Sequence, residues 1–211
     1  MWIALGTAAV CLGICIPLYM RYRTFRLPLA AAFKSLATLC AMVPALTAAL
    51  KLNPLCWVLV GAMALYAAAD TILEYRFLPG MGCFLLGHIC SIAFFVSLFP
   101  LSLSHLICLL ILMAGFGFLL WKNRKQAGKN IPSFVVYGLV LSLMVSCGIA
   151  GGGSAYSLHG LLIALGAALF AFSDGLLFNG LFHPTGKETD WIIMITYELS
   201  LLLLGNACLL I

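Results

Sequence analysis

Charge is scarce in this sequence. Only 8% of its 211 residues are charged, six of them acidic, against 64% hydrophobic, and the mean hydropathy is +1.17. A soluble domain of this size cannot cover so much apolar surface with so few charges. Alternating apolar and polar segments of about ten residues, the mark of a membrane barrel, are missing too. No basic residue precedes the first apolar segment; Arg21, Arg23 and Arg26 follow it instead. A cleaved signal peptide shows the reverse order, so residues 1–20 read as a spanning helix. The nine cysteines contain no Cys-x-x-Cys pair. Cys11 and Cys15 share a helix face, which packing explains without a metal, and the cysteines read as small apolar filler. Sequence motifs for a serine nucleophile elbow, a His-Glu-x-x-His zinc site and a phosphate loop are absent.

What is present is a series of apolar runs, each about 20 residues and so long enough to span a bilayer as a helix. Eight such helices are expected, near 1–20, 28–50, 54–75, 80–99, 103–121, 131–150, 156–179 and 190–211, in one transmembrane domain over 1–211. Pro28, Pro54, Pro100, Pro132 and Pro184 fall at or near their ends, and Gly151-Gly152-Gly153 reads as the turn between the sixth and seventh. Nine basic residues lie in loops one, three, five and seven, while the opposite side has only Lys51. That asymmetry predicts those loops in the cytoplasm and both termini outside. The +5 net charge is then a signal of topology, with no nucleic-acid partner expected. If the chain is bacterial, the cell membrane is the expected location. Aligning Asp70 with Asp174 also pairs Leu65-Tyr66 with Leu169-Phe170 and Leu73 with Leu177, as a duplicated four-helix unit would.

Asp70 and Asp174 lie inside the third and seventh runs. A carboxylate at membrane depth is costly, and such a residue marks function by default. In the expected orientation Lys34, Asp70, His88, Asp174, Tyr197 and Glu198 share a layer one to two helical turns from the inner boundary, at about 1.5 Å per residue. Lys34 alternatively snorkels to the interface, His88 alternatively serves packing, and Glu198 alternatively pairs with a neighbouring helix. Glu74, close to Arg76, reads as interfacial, as do Tyr19, Tyr22, Tyr75 and Trp121, while Glu188 and Asp190 read as loop charges. The aspartates are too short to snorkel.

Desolvation disfavours the charged form of a carboxyl, and a neighbouring carboxylate does so further. One member of a pair can then serve as an acid and the other as a base toward water, a division suited to acid-catalysed hydrolysis.

The stretch AADTILEYRFLPGMGCFLLGH, through Asp70, Phe77, Gly80, Phe84 and His88, resembles a signature of the YhhN-like lysoplasmalogenases. LGAALFAFSDGLLF, through Gly166, Ala167, Phe170, Ser173 and Asp174, resembles the family's second signature. Lys34 and Tyr197 also fit. The chain departs from the pattern at Ser35, Ser91 and Leu201, where the family tends to carry Pro, Tyr and Gln. The resemblance implies an eight-helix hydrolase that cleaves the vinyl ether bond of a lysoplasmalogen to a fatty aldehyde and glycerophosphoethanolamine or glycerophosphocholine, with no cofactor. It implies Asp70 and Asp174 as the acid–base pair, and Lys34, His88, Ser173, Tyr197 and Glu198 about the substrate, a lysophospholipid drawn from the bilayer. Oligomeric state is open.

Three other readings compete. A proton-coupled transporter of a small amphiphile would more often carry polar residues through both leaflets. An intramembrane aspartyl protease would need Gly-x-Gly-Asp, and here Ala68-Ala69 and Phe172-Ser173 precede the aspartates. A two-Asp, one-His cation site would use Asp70, Asp174 and His88.

Overall fold

In the computed structural model of the protein, which describes residues 2–211, the chain is helical and the described residues form no strand. Eight helices are long and apolar enough to cross a membrane: α1 (Trp2–Tyr22), α2 (Leu27–Lys51), α3 (Cys56–Tyr75), α4 (Phe77–Leu98), α5 (Leu103–Lys122), α6 (Arg124–Ser154), α7 (Leu158–Gly180) and α8 (Lys187–Leu210). In lipid each backbone N–H and C=O must find its partner within the protein, and a helix does this along its own length. The protein is an integral, multi-pass membrane protein.

Local chemistry explains most helix ends. Pro28 and Pro132 sit in first turns, where a missing N–H costs nothing. Ser157 caps α7 by accepting from the Gly160 amide, and Ser102 and His105 cap α5 reciprocally. A wide π-type turn over Cys11–Cys15 precedes Pro17 inside α1, where a regular turn would drive the ring against a carbonyl.

The glycine run departs from expectation. Gly151, Gly152 and Gly153 are helical and prolong α6; the chain turns later, at Ala155–Ser157, with Tyr156 in the left-handed region at φ 48°. The glycines serve close packing instead: a Cβ on Gly152 would collide with the Gly160 carbonyl of α7.

The core is built where backbones approach closely. Ala37, Ala41, Ala45 and Ala48 form a fully buried stripe on α2, which packs against α3 and α8. Gly205 of α8 lies against the Ala41 carbonyl with no room for a side chain. Small residues are what helix pairs in lipid require, since apolar burial alone does not distinguish a helix from a lipid tail. The larger core residues, among them Met63, Phe94, Phe95 and Ile163, fill the space between α3, α4, α6 and α7. The outer face of α5, by contrast, exposes Leu106, Ile107, Leu110, Ile111 and Phe118.

Short connections make successive helices antiparallel, so loops one, three, five and seven gather at one end. His183 of loop seven bonds Asn123 between α5 and α6 at 3.0 Å. Arg23, just after α1, pairs with Asp190 in the first turn of α8 at 3.0 Å. The polar cluster lies toward this end.

Candidate active site

On α3, Asp70 and Glu74 are one turn apart and share a face. On α2, Lys34 and Thr38 have the same spacing, and the two faces meet. The Lys34 ammonium lies 3.3 Å from Glu74 Oε1 and 3.7 Å from Asp70 Oδ1. Thr38 donates to Asp70 Oδ2 at 2.6 Å, and Tyr197 of α8 donates to the same oxygen at 2.9 Å. Asp70 Oδ2 is thus fully engaged. Asp70 Oδ1 is buried and, among the described residues, has no hydrogen-bond partner, only the ion-pair contact with Lys34. Two further groups close the cluster. Tyr19 of α1 donates to Glu74 at 3.0 Å, and the Thr38 hydroxyl lies 3.3 Å from Glu198, which Cys11 also approaches at 3.5 Å.

Asp174 sits in a different setting. Among the described residues its one hydrogen-bond partner is Tyr137 of α6, whose hydroxyl donates to Oδ2 at 2.6 Å. A phenol has a single proton, so Tyr137 must accept from His88 Nε2, 3.2 Å away. That assigns the Nε2–H tautomer. His88 Nδ1 then accepts from Tyr66 at 2.9 Å, and Tyr66 in turn accepts from Ser91 at 2.9 Å. Four groups therefore point their protons in series toward Asp174. Tyr66, His88 and Ser91 are fully buried, and Phe170 and Phe84 pack about the His88 ring.

Both aspartates line one cavity of about 490 Å³, its open mouth included as in the volumes below, together with Arg23, Lys34, Ser173 and Tyr197. Two more cavities adjoin it. One of about 450 Å³ is walled by Phe77, Met81, Phe116, Phe134 and Phe178. The other, about 780 Å³, opens between α5, α6 and α7 against Ile111, Leu112, Leu141 and Val145. Among the described residues Asp174 alone borders all three. It stands where a polar chamber meets two apolar ones.

The sequence profile of the YhhN family matches residues 29–207, which takes in both aspartates, α3 to α7 whole and nearly all of α2 and α8. The chain belongs to the YhhN family. It is 33% identical over 154 residues to human lysoplasmalogenase TMEM86B, covering 72% of this chain and 63% of that protein. Against mouse lysoplasmalogenase TMEM86B it is 32% identical over 151 residues, 70% of this chain and 62% of the relative. It thus spans a little under two thirds of the length of these curated relatives. No solved structure matches.

In this YhhN chain, Lys34, Asp70 and Tyr197 meet directly, and Glu198 joins them through Thr38. Lys34 does not snorkel: it is buried between two carboxylates. Ser173 lines the polar cavity, but its hydroxyl donates to the Ile193 carbonyl and so ties α7 to α8. His88 borders none of the three cavities and reaches Asp174 only through Tyr137. Both its nitrogens are engaged by tyrosines, which leaves no lone pair for a cation shared with the aspartates.

Other residues differ from expectation. Glu74 pairs with Lys34 and Tyr19 rather than sitting at the interface with Arg76, and Tyr19 is a buried member of the cluster. Asp190 belongs to the first turn of α8 and pairs with Arg23. Tyr137, Tyr66 and Thr38 were not distinguishable in the sequence. A lone hydroxyl on an apolar helix carries no signal until the partner helix is known. The spacing of Lys34 and Thr38 on one face was the one available hint.

Proposed function

We propose that the protein hydrolyses the vinyl ether bond of lysoplasmalogens, releasing a fatty aldehyde and glycerophosphoethanolamine or glycerophosphocholine. The observation that carries this reading is the position of Asp174 at the junction of one polar and two apolar cavities. In a lysoplasmalogen the vinyl ether is the link between a polar glycerophospho group and an apolar tail. A substrate with each half in the matching cavity presents that link to Asp174. The names of the human and mouse relatives point the same way.

The two carboxyls have unlike surroundings, and these divide the roles. Asp174, with one hydroxyl partner and largely apolar neighbours, is the acid. The Tyr137 bond occupies Oδ2, which leaves the acidic proton for Oδ1. That proton passes to the β-carbon of the vinyl ether, the C=C π pair forms the new C–H bond, and an oxocarbenium ion results. The Asp174 carboxylate left behind stabilises this cation electrostatically. Asp70, beside Lys34 and two hydroxyl donors, is the base. Its open Oδ1 accepts a proton from water as the water oxygen bonds to the oxocarbenium carbon. The resulting hemiacetal breaks its bond to the glycerol oxygen. The hydroxyl proton goes to Asp174, the Asp70 proton goes to the leaving oxygen, and the aldehyde departs. Both carboxyls return to their starting states and one water is consumed.

The test is aldehyde release by the purified protein from a lysoplasmalogen and from its saturated alkyl-ether analogue. The saturated ether cannot be protonated at carbon. Aldehyde from the vinyl ether alone is expected; none from either overturns the reading.

A further inference from the structure

The polar cavity has a second ion pair besides the Lys34 cluster, one outside the reaction steps above. Arg23 and Asp190 both line it and pair across it at 3.0 Å. Their side chains are 31% and 24% exposed, so water screens the pair, and besides each other they have only weak contacts, Arg23 with the Tyr19 ring and Met20 and Asp190 with Thr185. Lys34 cannot substitute as an anchor for an anion, because Asp70 and Glu74 already engage it. Arg23 is thus the cavity cation that can change partners, and Asp190 the matching anion.

An adjacent cation and anion are the complement of a zwitterion. We propose that Arg23 and Asp190 form the headgroup site, with the Arg23 guanidinium on the phosphodiester and the Asp190 carboxylate on the ammonium of a zwitterionic lysophospholipid. This deepens the lysoplasmalogenase reading and rests on it. Arg23, which also lies over the Tyr19 ring, and Asp190, which Thr185 approaches at 3.5 Å, are each other's charged partner; the substrate exchanges one ion pair for two. A guanidinium suits phosphate because its planar fork can bond two oxygens at once. An anionic headgroup without an ammonium would leave Asp190 unpaired beside a phosphate, so the same pair selects against it.

Binding is read without hydrolysis, through the rise in melting temperature of the detergent-solubilised protein. The probes are saturated alkyl-ether lysolipids bearing phosphoethanolamine, phosphoglycerol or no headgroup. The phosphoethanolamine lipid is expected to bind about tenfold more tightly than either of the others, as charged hydrogen bonds of this kind suggest. Asp190→Asn should erase its advantage over the phosphoglycerol lipid. Arg23→Gln should weaken both phosphate lipids and leave the headgroup-free one unaffected. Equal affinity of the three lipids for the unaltered protein would overturn the proposal, whether or not either variant folds. So would an equal shift from free glycerophosphoethanolamine, which would reassign the site to a soluble phosphodiester. Absence of aldehyde release with headgroup selectivity intact would overturn the hydrolase reading and leave this site standing.

Discussion

Tyr137 donates its hydroxyl to Asp174 across 2.6 Å while accepting from His88, so one phenol joins a buried histidine to a carboxyl at a cavity junction. Its position gives Tyr137 a positioning role: it fixes which oxygen of Asp174 is free. Tyr137→Phe removes that constraint without removing the acid. The expected outcome is a fall of about tenfold in kcat with KM little changed, since the bond becomes charge-assisted only as Asp174 gives up its proton, and that strengthening over a neutral bond is roughly 1–1.5 kcal/mol. His88→Gln should act in the same direction and more weakly, because His88 works through Tyr137. Steady-state aldehyde release separates the two parameters. A rise in KM with unchanged kcat would instead mark Tyr137 as a wall of the substrate site.

The two aspartates should both be required. Asp174→Asn cannot deliver a proton to carbon, and Asp70→Asn cannot take one from water. Each substitution should lower kcat by about 10²–10⁴-fold, the usual range for a general acid or base. The amides are nearly isosteric, so extraction and gel-filtration behaviour should match the unaltered protein. Near-normal turnover by either variant would contradict the division of roles.

Much of this arrangement was legible from sequence, for a physical reason. Lipid imposes one secondary structure and a minimum length, so eight apolar runs give eight helices. The aspartates stood out because a carboxylate in such a run has few harmless explanations. The partners of these groups were far less visible. Thr38, Tyr66 and Tyr137 are unremarkable on an apolar helix, and only tertiary packing assigns them to Asp70, His88 and Asp174. Glu74 and Tyr19 lay near helix ends, where the interface is the usual reading, yet the crossing of α1, α2 and α3 turns both onto Lys34. The glycine run misled because glycine answers two demands, a tight turn and a close helix contact, and the sequence does not say which.

Lys34 should be a stability residue as well as a neighbour of the reaction. It is buried between Asp70 and Glu74, and Lys34→Met would leave two carboxylates facing each other without a cation. Breaking a buried pair by removing one partner costs about 3–5 kcal/mol. Thermal unfolding in detergent should show a clear drop in melting temperature. Adding Glu74→Gln should recover part of it, because the second substitution removes one of the unpaired charges. A double variant less stable than the single would argue that Glu74 is held by Tyr19 independently of Lys34.

The contact between α2 and α8 offers a test of packing apart from chemistry. A Cβ on Gly205 meets the Ala41 carbonyl, a backbone atom that cannot rotate away. Gly205→Val should therefore destabilise by about 1–3 kcal/mol, the usual cost of overpacking. Because α2 carries Lys34 and Thr38 and α8 carries Tyr197, the same change should spread the donors around Asp70 and lower kcat. Unfolding and turnover measured on one preparation would show both effects.

Tail length provides the last test. The largest of the three cavities, about 780 Å³ between α5, α6 and α7, is lined by Gly115, where an added Cβ meets no atom of another element within 4 Å. Gly115→Leu therefore starts into open space; its side chain is expected to occupy the chamber with little change in melting temperature, which unfolding in detergent checks. If this chamber receives the alkenyl tail, the substitution should raise KM for long-chain substrates several-fold and leave short-chain ones untouched, since a displaced tail loses its packing contacts with the chamber wall. The profile of KM against chain length should break where the tail first reaches the new side chain. An unchanged profile would move the tail to the neighbouring chamber of about 450 Å³, lined by Phe77, Met81 and Phe134, where Met81→Trp would then be the blocking substitution.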